Sequence, residues 1–153
     1  MSESIAIIED IAGVIEIHID RPDKKNALTA PMYHAMTAAL ADASARADIA
    51  VVLFTANGDA FCAGKDLKDF MAGPEGGAAA FIRAIAAFDK PIVAAVQGLA
   101  VGVGTTMLFH CDLIYAAPDA RFIMPFVNLG LVPEAGSSLL APATLGHAKA
   151  AAM

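Results

Sequence analysis

The sequence predicts an α/β fold in a single domain spanning residues 1–153. Two observations lead to this prediction. Short β-branched or apolar runs, such as Ala50–Thr55 and Ile92–Val96, alternate with longer segments whose apolar residues recur at helical spacing. The resulting order is β-β-α-β-α-β-α-β-β-α, and such alternation favours parallel strands joined by right-handed crossovers. A chain of 153 residues is long enough to bury a core of its own.

The first elements are a hairpin and a capped helix. Ser4–Glu9 and Val14–Ile19 are β-rich runs separated by a turn that ends in glycine, which predicts antiparallel pairing. His18 alternates with isoleucines and is therefore expected on the wet face of its strand. A polar loop follows, and Thr29 is predicted to cap a helix that starts near Pro31, because proline is tolerated in the first turn.

The rest of the chain continues the alternation. In the first helix, three residues at helical spacing are expected to face the core: Tyr33, Met36 and Leu40. The later predicted elements are, in order, a helix at Asp66–Met71, a break at Gly73–Gly77, a helix at Ala78–Phe88, a strand at Ile92–Val96, a helix at Gly104–His110, strands at Leu113–Ala116 and Phe122–Met124, a loop at Leu129–Gly136, and helices at Ser137–Leu145 and from His147.

Composition excludes several classes of protein. The chain is 58% hydrophobic and 17% charged, with a net charge of −6 and no basic stripe, which argues against both disorder and nucleic-acid binding. Pro91–Cys111 carries no charged residue, but glycines and polar residues interrupt it, so a buried strand and helix are expected there rather than a membrane span. Cys62 and Cys111 are far apart and predict free thiols in a reducing, cytoplasmic compartment.

Two glycine-containing turns carry the functional signal. Phe61–Leu67 and Gly98–Gly104 each follow an apolar run and expose backbone N–H groups, which is what an oxyanion hole requires. Neither is a nucleotide motif: the spacing from Gly58 to Lys65 does not fit a P-loop, and Met107 replaces the last glycine of a dinucleotide fingerprint. The alternative is that the glycines only permit tight turns.

Five motifs in a fixed order resemble the crotonase superfamily, the enoyl-CoA hydratase/isomerase family of acyl-CoA enzymes. They are Asn26–Thr29, Phe61–Leu67, Lys90–Gly98, Val101–Gly104 and Cys111–Ile114. The resemblance covers essentially the whole chain and implies a ββα spiral core. Family members are substantially longer, so it also implies that the C-terminal trimerisation helices are missing and that the complete protein is a homo-oligomer, a trimer or hexamer.

The resemblance also implies site residues. The backbone N–H groups of Lys65 and Val103 would hold the thioester oxygen of an acyl-CoA, with valine in place of the glycine that is common at the second position. The implied substrate-binding residues are Lys24, Ala27, Ala63, Gly64, Lys65, Asp66, Leu67, Gly102 and Phe126. Coenzyme A is part of the substrate, and no separate cofactor and no metal is expected. Nearby basic side chains are candidates for phosphate contacts, or are simply solvated: Arg21, Lys24, Lys25, Lys65 and Lys68.

Glu134 is the candidate acid–base residue. Family hydratases use two glutamates, which would fall at Thr106 and Phe126, where this chain has no acid. The position of Glu134 instead resembles the Δ3,Δ2-enoyl-CoA isomerase branch, in which one glutamate shuttles a proton from C2 to C4. Burial among Phe126, Leu131 and Val132 is expected to raise its pKa. The alternative is an acid that favours the N-terminus of the next helix.

Three functions therefore remain open from the sequence. The first is an isomerase that uses Glu134. The second is another crotonase-type enzyme, such as a hydratase or thioester hydrolase, with its acid supplied otherwise. The third is an inactive acyl-CoA-binding subunit. Cys62 is expected to pack rather than react, and His110 to be a satisfied core residue.

Overall fold

The computed structural model describes residues 7–71 and 77–153. Its strands are β1 (Ile7–Ile11), β2 (Val14–Ile19), β3 (Val51–Ala56), β4 (Ala60–Cys62), β5 (Ile92–Val96), β6 (Leu99–Val101), β7 (Leu113–Ala116) and β8 (Arg121–Ile123). Its α-helices are α1 (Ala30–Ala45), α2 (Leu67–Met71), α3 (Ala78–Ala86), α4 (Val103–Thr106), α5 (Ser137–Leu145) and α6 (His147–Ala152). Short 3₁₀ turns lie at Pro22–Lys24, Met107–His110 and Val127–Leu129.

A five-stranded sheet forms the body of the fold, in the order β1-β2-β3-β5-β7. β1 and β2 form the predicted hairpin around Ala12 and Gly13, whose φ angles of 50° and 88° are those of a tight two-residue turn. The other pairings are parallel, with Val52 opposite Ile92 and Val96 opposite Ala116. The predicted α/β class with parallel strands is confirmed.

A second, three-stranded parallel sheet in the order β4-β6-β8 was not predicted in full. The sequence pattern predicts no strand at β4 or β6. Each has only three residues, too few to show a period of two, so their pairing with each other and with β8 decides that they are strands. This small sheet matters because both glycine turns leave from its carboxyl edge.

The core lies between the larger sheet and the helices α1 and α3. Tyr33, Met36 and Leu40 are buried as predicted, and Phe81 and Ile85 face them from α3. The Phe81 ring centroid lies 5.9 Å from that of Tyr33 and 6.4 Å from that of Phe54. Aromatic contacts at this distance add to the burial free energy, so α3 is fixed against both α1 and the sheet.

Several predicted details differ in the structure. Thr29 occupies the N-cap position of α1 but makes no side-chain cap; the Asp69 carboxylate instead accepts the N–H of Ala30 at 2.6 Å. The helix predicted at Gly104–His110 begins one residue earlier and tightens into a 3₁₀ turn after Thr106. Strand β1 extends to Ile11, past the predicted end at Glu9. Residues 4–6 of the predicted first strand and residues 73–76 of the predicted break lie outside the described part.

Strands β7 and β8 expose apolar side chains. Leu113, Tyr115 and Ile123 are all exposed, and both strands lie at the edges of their sheets. Exposed apolar side chains at sheet edges are typical of an interaction surface. No helix within the described residues is long and apolar enough to cross a membrane.

Candidate active site

The small sheet brings the two glycine turns side by side. β4 and β6 are parallel neighbours, so the segments that follow them emerge at the same edge. Packing there is close: a Cβ added to Gly64 would lie 3.0 Å from the Val101 carbonyl oxygen, and one added to Gly104 would lie 2.6 Å from the Cys62 carbonyl oxygen. The absence of side chains at Gly64 and Gly104 is therefore what allows the two turns to meet.

The first turn is held by the segment that precedes α1. Leu28 N–H donates to the Gly64 carbonyl at 2.8 Å, and Asp66 N–H donates to the Leu28 carbonyl at 2.9 Å. These two bonds form a parallel bridge between Leu28 and Lys65. Because a bridge of this type uses the peptide groups on either side of Lys65, the Lys65 N–H points to the opposite side, away from Leu28.

An ion pair supports the same turn. The Arg21 Nη1 donates to the Asp66 carboxylate at 2.7 Å and to the Ala27 carbonyl at 2.9 Å, and the two charged side chains are only 13% and 14% exposed. This hydrogen bond from Arg21 is the main reason that the pKa of Asp66 lies below its usual value. Asp66 also accepts the Lys68 N–H at 2.9 Å, so it caps α2, the alternative role that its sequence allowed.

The second turn is enclosed. Gly102 has a φ of 55°, and Val103 is the first residue of α4, where a backbone N–H has no carbonyl within the helix to bond. Thr105 fixes the turn: its hydroxyl donates to the Ala100 carbonyl at 2.5 Å and accepts the Ile123 N–H at 3.1 Å. Val103 and the three residues after it are buried. The turn is thus tied to both β6 and β8.

Glu134 lies against this second turn. Its Oε1 accepts the hydroxyl of Thr106 at 2.5 Å, across 28 residues of sequence, while its Oε2 is buried and has no hydrogen-bond partner among the described residues. Its main-chain carbonyl accepts both the N–H and the hydroxyl of Ser137, at 3.0 and 2.6 Å. The Glu134 carboxylate makes no capping hydrogen bond to α5, since it is bonded to Thr106.

Burial raises the pKa of Glu134 above its ordinary value, while the Thr106 hydrogen bond and the charge of His110 lower it in part. The direction agrees with the sequence-based expectation, but the expected cause was partly wrong. Phe126 is buried, whereas Leu131 is 38% and Val132 84% exposed, so those two side chains do not supply a dry environment. The chain turns outward at residues 131–132 before it returns to the core at Glu134.

Two further titratable side chains, those of Tyr33 and Cys62, are buried near the two turns. The Tyr33 hydroxyl is buried without a hydrogen-bond partner among the described residues, and the charges of Cys62 and Glu134 both raise its pKa after burial itself. Burial raises the pKa of the Cys62 thiol to about 12, so this side chain packs rather than reacts, as the sequence suggested. Both cysteines are free.

The other predicted substrate-binding residues lie on several different segments and differ in exposure. Lys24 is exposed in the 3₁₀ turn at Pro22–Lys24, and Leu67 is exposed at the start of α2. Ala27 and Ala63 are partly exposed beside the first turn, and Phe126 is buried in the segment that leads to Glu134. Of the basic candidates for phosphate contacts, Arg21 is occupied by Asp66.

A cavity elsewhere in the fold does not coincide with these residues. It has a volume of about 640 Å³ and lies between the strand β7 and the helices α5 and α6, lined by Leu108, Ile114, Phe122 and Leu145 among others. Within residues 7–71 and 77–153, no cluster of three or more metal-ligating side chains is found.

The contact between Thr106 and Glu134 is not predictable from the sequence. At Thr106 the sequence shows only that an acid is absent. No signal in it links the two residues, because a threonine within a helix usually bonds to its own backbone. The sequence also does not reveal that the buried Tyr33 hydroxyl has no partner among the described residues, since the spacing of Tyr33 in α1 predicts burial alone.

The chain is similar to known proteins over nearly its whole length. The family model described as "Enoyl-CoA hydratase/isomerase" matches residues 9–153. The chain is 38% identical to "Enoyl-CoA delta isomerase 2" of Rattus norvegicus over 157 residues, which cover 96% of this chain and 40% of the relative. It is 33% identical to "1,2-epoxyphenylacetyl-CoA isomerase" of Escherichia coli (strain K12), with 90% of this chain and 57% of that protein covered.

A solved structure shares the fold. The crystal structure of an enoyl-CoA hydratase/isomerase from Pseudoalteromonas atlantica T6c superposes with a TM-score of 0.90 at 46% identity, covering 94% of this chain and 58% of the other. The chain therefore spans 40–58% of the length of these three proteins.

Proposed function

Because the chain belongs to the enoyl-CoA hydratase/isomerase family, we propose that it isomerises a 3-enoyl-CoA to the conjugated 2-enoyl-CoA with Glu134 as the only acid–base residue. One observation carries the proposal: a buried carboxyl group, held by Thr106, lies against the helix that opens with Val103. The substrate class comes from the family, and coenzyme A enters as part of the substrate.

The reaction begins with proton transfer from C2. Glu134 takes this proton, and the electron pair moves onto the thioester oxygen to give a dienolate. The N–H groups of Lys65 and Val103 donate hydrogen bonds to that oxygen, where the charge develops. Loss of one such donor in other enzymes costs about 3 kcal/mol of transition-state stabilisation. Glu134 then returns the proton to C4, so the double bond moves into conjugation and no atom is gained or lost.

The environment of Glu134 suits a base for a weak carbon acid. Burial raises its pKa, which makes the carboxylate a stronger base at neutral pH. The Thr106 hydroxyl holds Oε1, so Oε2 is the oxygen that remains for proton transfer. Both steps use the same oxygen on the same face of the acyl chain.

Isomerisation fits the site better than hydration. Hydration needs an activated water and a separate proton donor. The positions that resemble the two hydratase glutamates are here Thr106, whose hydroxyl is used to hold Glu134, and Phe126, which is apolar and buried. A single carboxyl group meets the needs of a one-base proton shuttle and not of a two-acid mechanism.

Acyl-CoA would enter along the first turn. Backbone groups of Ala63, Lys65, Asp66 and Leu67 would contact the adenine and pantetheine. Gly102 would leave room beside the thioester, since no atom lies within 4 Å of a Cβ placed there. Ala27 and Phe126 would border the acyl-CoA, and the exposed Lys24 would contact a phosphate.

The assembly and compartment are further parts of the proposal. The exposed apolar side chains of β7 and β8 support a homo-oligomer, a trimer or hexamer. Two free thiols support a reducing, cytoplasmic compartment. The second candidate function is acyl-CoA binding without turnover, because the chain spans about half the length of the relatives that it matches.

The test is to incubate the chain with a 3-enoyl-CoA and to follow the ultraviolet absorbance of the conjugated product. We expect turnover by the parent, a loss of at least a hundredfold in Glu134→Gln, and little change in Glu16→Gln, a carboxyl on β2. The kcat/KM should fall as the pH drops through the raised pKa of Glu134, because only the carboxylate accepts a proton.

Acyl-CoA binding is measured in parallel by calorimetry. Binding without turnover in the parent would establish the inactive binding subunit instead. Turnover that survives in Glu134→Gln would rule out Glu134 as the base. Incorporation of solvent oxygen at C3 would identify a hydratase.

A further inference from the structure

The turn that carries Glu134 has an unusual backbone. In the four residues Glu134–Ser137, the Ser137 N–H donates to the Glu134 carbonyl, and the two central residues, Ala135 and Gly136, have φ angles of 55° and 65°. Two consecutive left-handed residues are the pattern of a type I′ turn. Glycine adopts this conformation freely, whereas alanine is strained in it, so other contacts must hold Ala135 in place.

His110, the last residue of the 3₁₀ turn that follows α4, makes such a contact. The Nε2 of His110 lies 2.9 Å from the carbonyl oxygen of Ala135, which is 6% exposed. A carbonyl only accepts, so the Nε2 carries the proton in this contact. The strained residue next to Glu134 is thus tied by a side chain 25 residues earlier in the sequence.

His110 belongs to the same helical segment as the other elements of the site. Val103 opens this segment, Thr106 holds the Glu134 carboxylate, and His110 ends it. Thr106 and His110 are about one turn apart and contact the two ends of the same dipeptide, the side chain of Glu134 and the carbonyl of Ala135. One short segment, residues 103–110, therefore carries both the proposed thioester donor, Val103, and the two side chains that hold the turn of Glu134.

We propose that His110 is a positioning residue for Glu134: by holding the Ala135 carbonyl, it keeps the strained turn in the conformation that aims the carboxyl group at the substrate. The role in the reaction rests on the proposed function, since it requires Glu134 to be the base. The effect on the turn itself does not.

The charged groups around His110 are few. A cavity of about 310 Å³ beside it is lined by Asp89, Lys90 and Asp112 as well. Lys90 is occupied by three main-chain carbonyls, those of Ala43, Arg46 and Ile49, and Asp112 accepts the Ile92 N–H at 2.8 Å. On the other side, Glu134 is the acid whose pKa the charge of His110 lowers. His110 can thus act on Glu134 in two ways that an experiment separates, by holding its turn and through its own charge.

The experiment compares His110→Phe, which fills the space without a donor, with His110→Gln, whose amide nitrogen still donates to a carbonyl. His147→Phe, at the exposed start of α6, is the control. The first readout is the carbon-13 NMR titration of the Glu134 δ-carboxyl, assigned by its absence in Glu134→Gln. The second is hydrogen exchange of the Ser137 amide, which reports the turn.

If His110 positions the turn, His110→Phe should release the carboxyl toward solvent, and its pKa should fall toward the ordinary value of about 4.3. Exchange of the Ser137 amide should quicken roughly fivefold, as expected for a lost hydrogen bond. His110→Gln should restore both. A rise of the Glu134 pKa would mean that His110 acts through its charge alone, and an unchanged titration with unchanged exchange would mean that it does not act on Glu134. Either result overturns the proposal.

Kinetics separate this inference from the proposed function. With a 3-enoyl-CoA, His110→Phe should lose tenfold or more in kcat with less than a twofold change in KM, and His110→Gln should recover most of it. Turnover in Glu134→Gln would refute the proposed function, while the NMR readouts would still decide the role of His110. If His110→Phe does not fold, His110→Met replaces it, because its flexible side chain fills the same space without a donor.

Discussion

The turn at Gly64–Lys65 leads into α2, which contributes no side chain to the core, whereas the turn at Gly102–Val103 leads into α4, which is buried throughout. The first depends on backbone bonds to Leu28 and on the ion pair between Arg21 and Asp66, and α2, which follows it, has no buried residue. In the second, every residue of α4 is buried.

Because of this difference, we expect the two turns to differ in rigidity. Packing holds the buried segment after the second turn rigidly, because the protein interior has little free volume. The segment after the first turn lacks such packing and depends on hydrogen bonds and on the ion pair between Arg21 and Asp66. We therefore expect the second turn to be the fixed reference of the site, and the first to be the part that adjusts when a ligand enters.

The largest effect should come from breaking the enclosed turn. In Gly104→Ala, the added methyl would lie 2.6 Å from the Cys62 carbonyl oxygen and 3.0 Å from its sulfur. We expect a loss of about 3 kcal/mol in the free energy of unfolding, measured by urea denaturation, because neither β4 nor α4 can move freely.

Gly130→Ala is the matched control for this change. No atom lies within 4 Å of a Cβ at Gly130, although its φ is 64°. It should cost only about 1 kcal/mol, the strain of a left-handed alanine. Equal losses in the two variants would contradict the view that close packing against Cys62 sets the second turn.

A smaller loss of stability is expected when the first turn is disturbed. Arg21→Met should lower the free energy of unfolding by about 1–2 kcal/mol at pH 7, since it removes the donor to Asp66 and to the Ala27 carbonyl. Arg83→Met, in the exposed part of α3, should change it by less than 0.5 kcal/mol.

The pH dependence of that loss follows from the lowered pKa of Asp66. The folded protein binds fewer protons at this site than the unfolded chain, so the pair contributes stability above the unfolded pKa, about 3.9, and loses it as the pH falls toward the lowered folded value. The difference between the parent and Arg21→Met should therefore shrink below pH 4. A difference that stays constant down to pH 2 would show that the ion pair does not contribute.

The smallest effect is expected at Tyr33, whose hydroxyl interacts electrostatically with Cys62, next to the first turn, and with Glu134, at the second. Because this hydroxyl is buried without a partner among the described residues, Tyr33→Phe should change the free energy of unfolding by less than about 0.5 kcal/mol or raise it slightly. Tyr115→Phe, 67% exposed on β7, is the control. A loss above 1 kcal/mol in Tyr33→Phe alone would mean that the hydroxyl has a partner in solution.

The sequence by itself determined the class of fold and the residues on its core faces. Apolar periodicity is a local property, so the positions of Tyr33, Met36 and Leu40 in α1 and of the strands β3 and β5 could be predicted from their neighbours in the chain. The two glycine turns could be predicted for the same reason, since glycine after an apolar run has a local meaning.

Tertiary structure alone decided which polar groups meet. The strands β4 and β6 exist because they pair with each other and with β8, and Asp69 caps α1 from 39 residues away. The pairing of Thr106 with Glu134 joins residues 28 apart, and its geometry depends on the angle between two elements rather than on either one. A hydrogen bond is short-ranged and directional, so no local pattern encodes its distant partner.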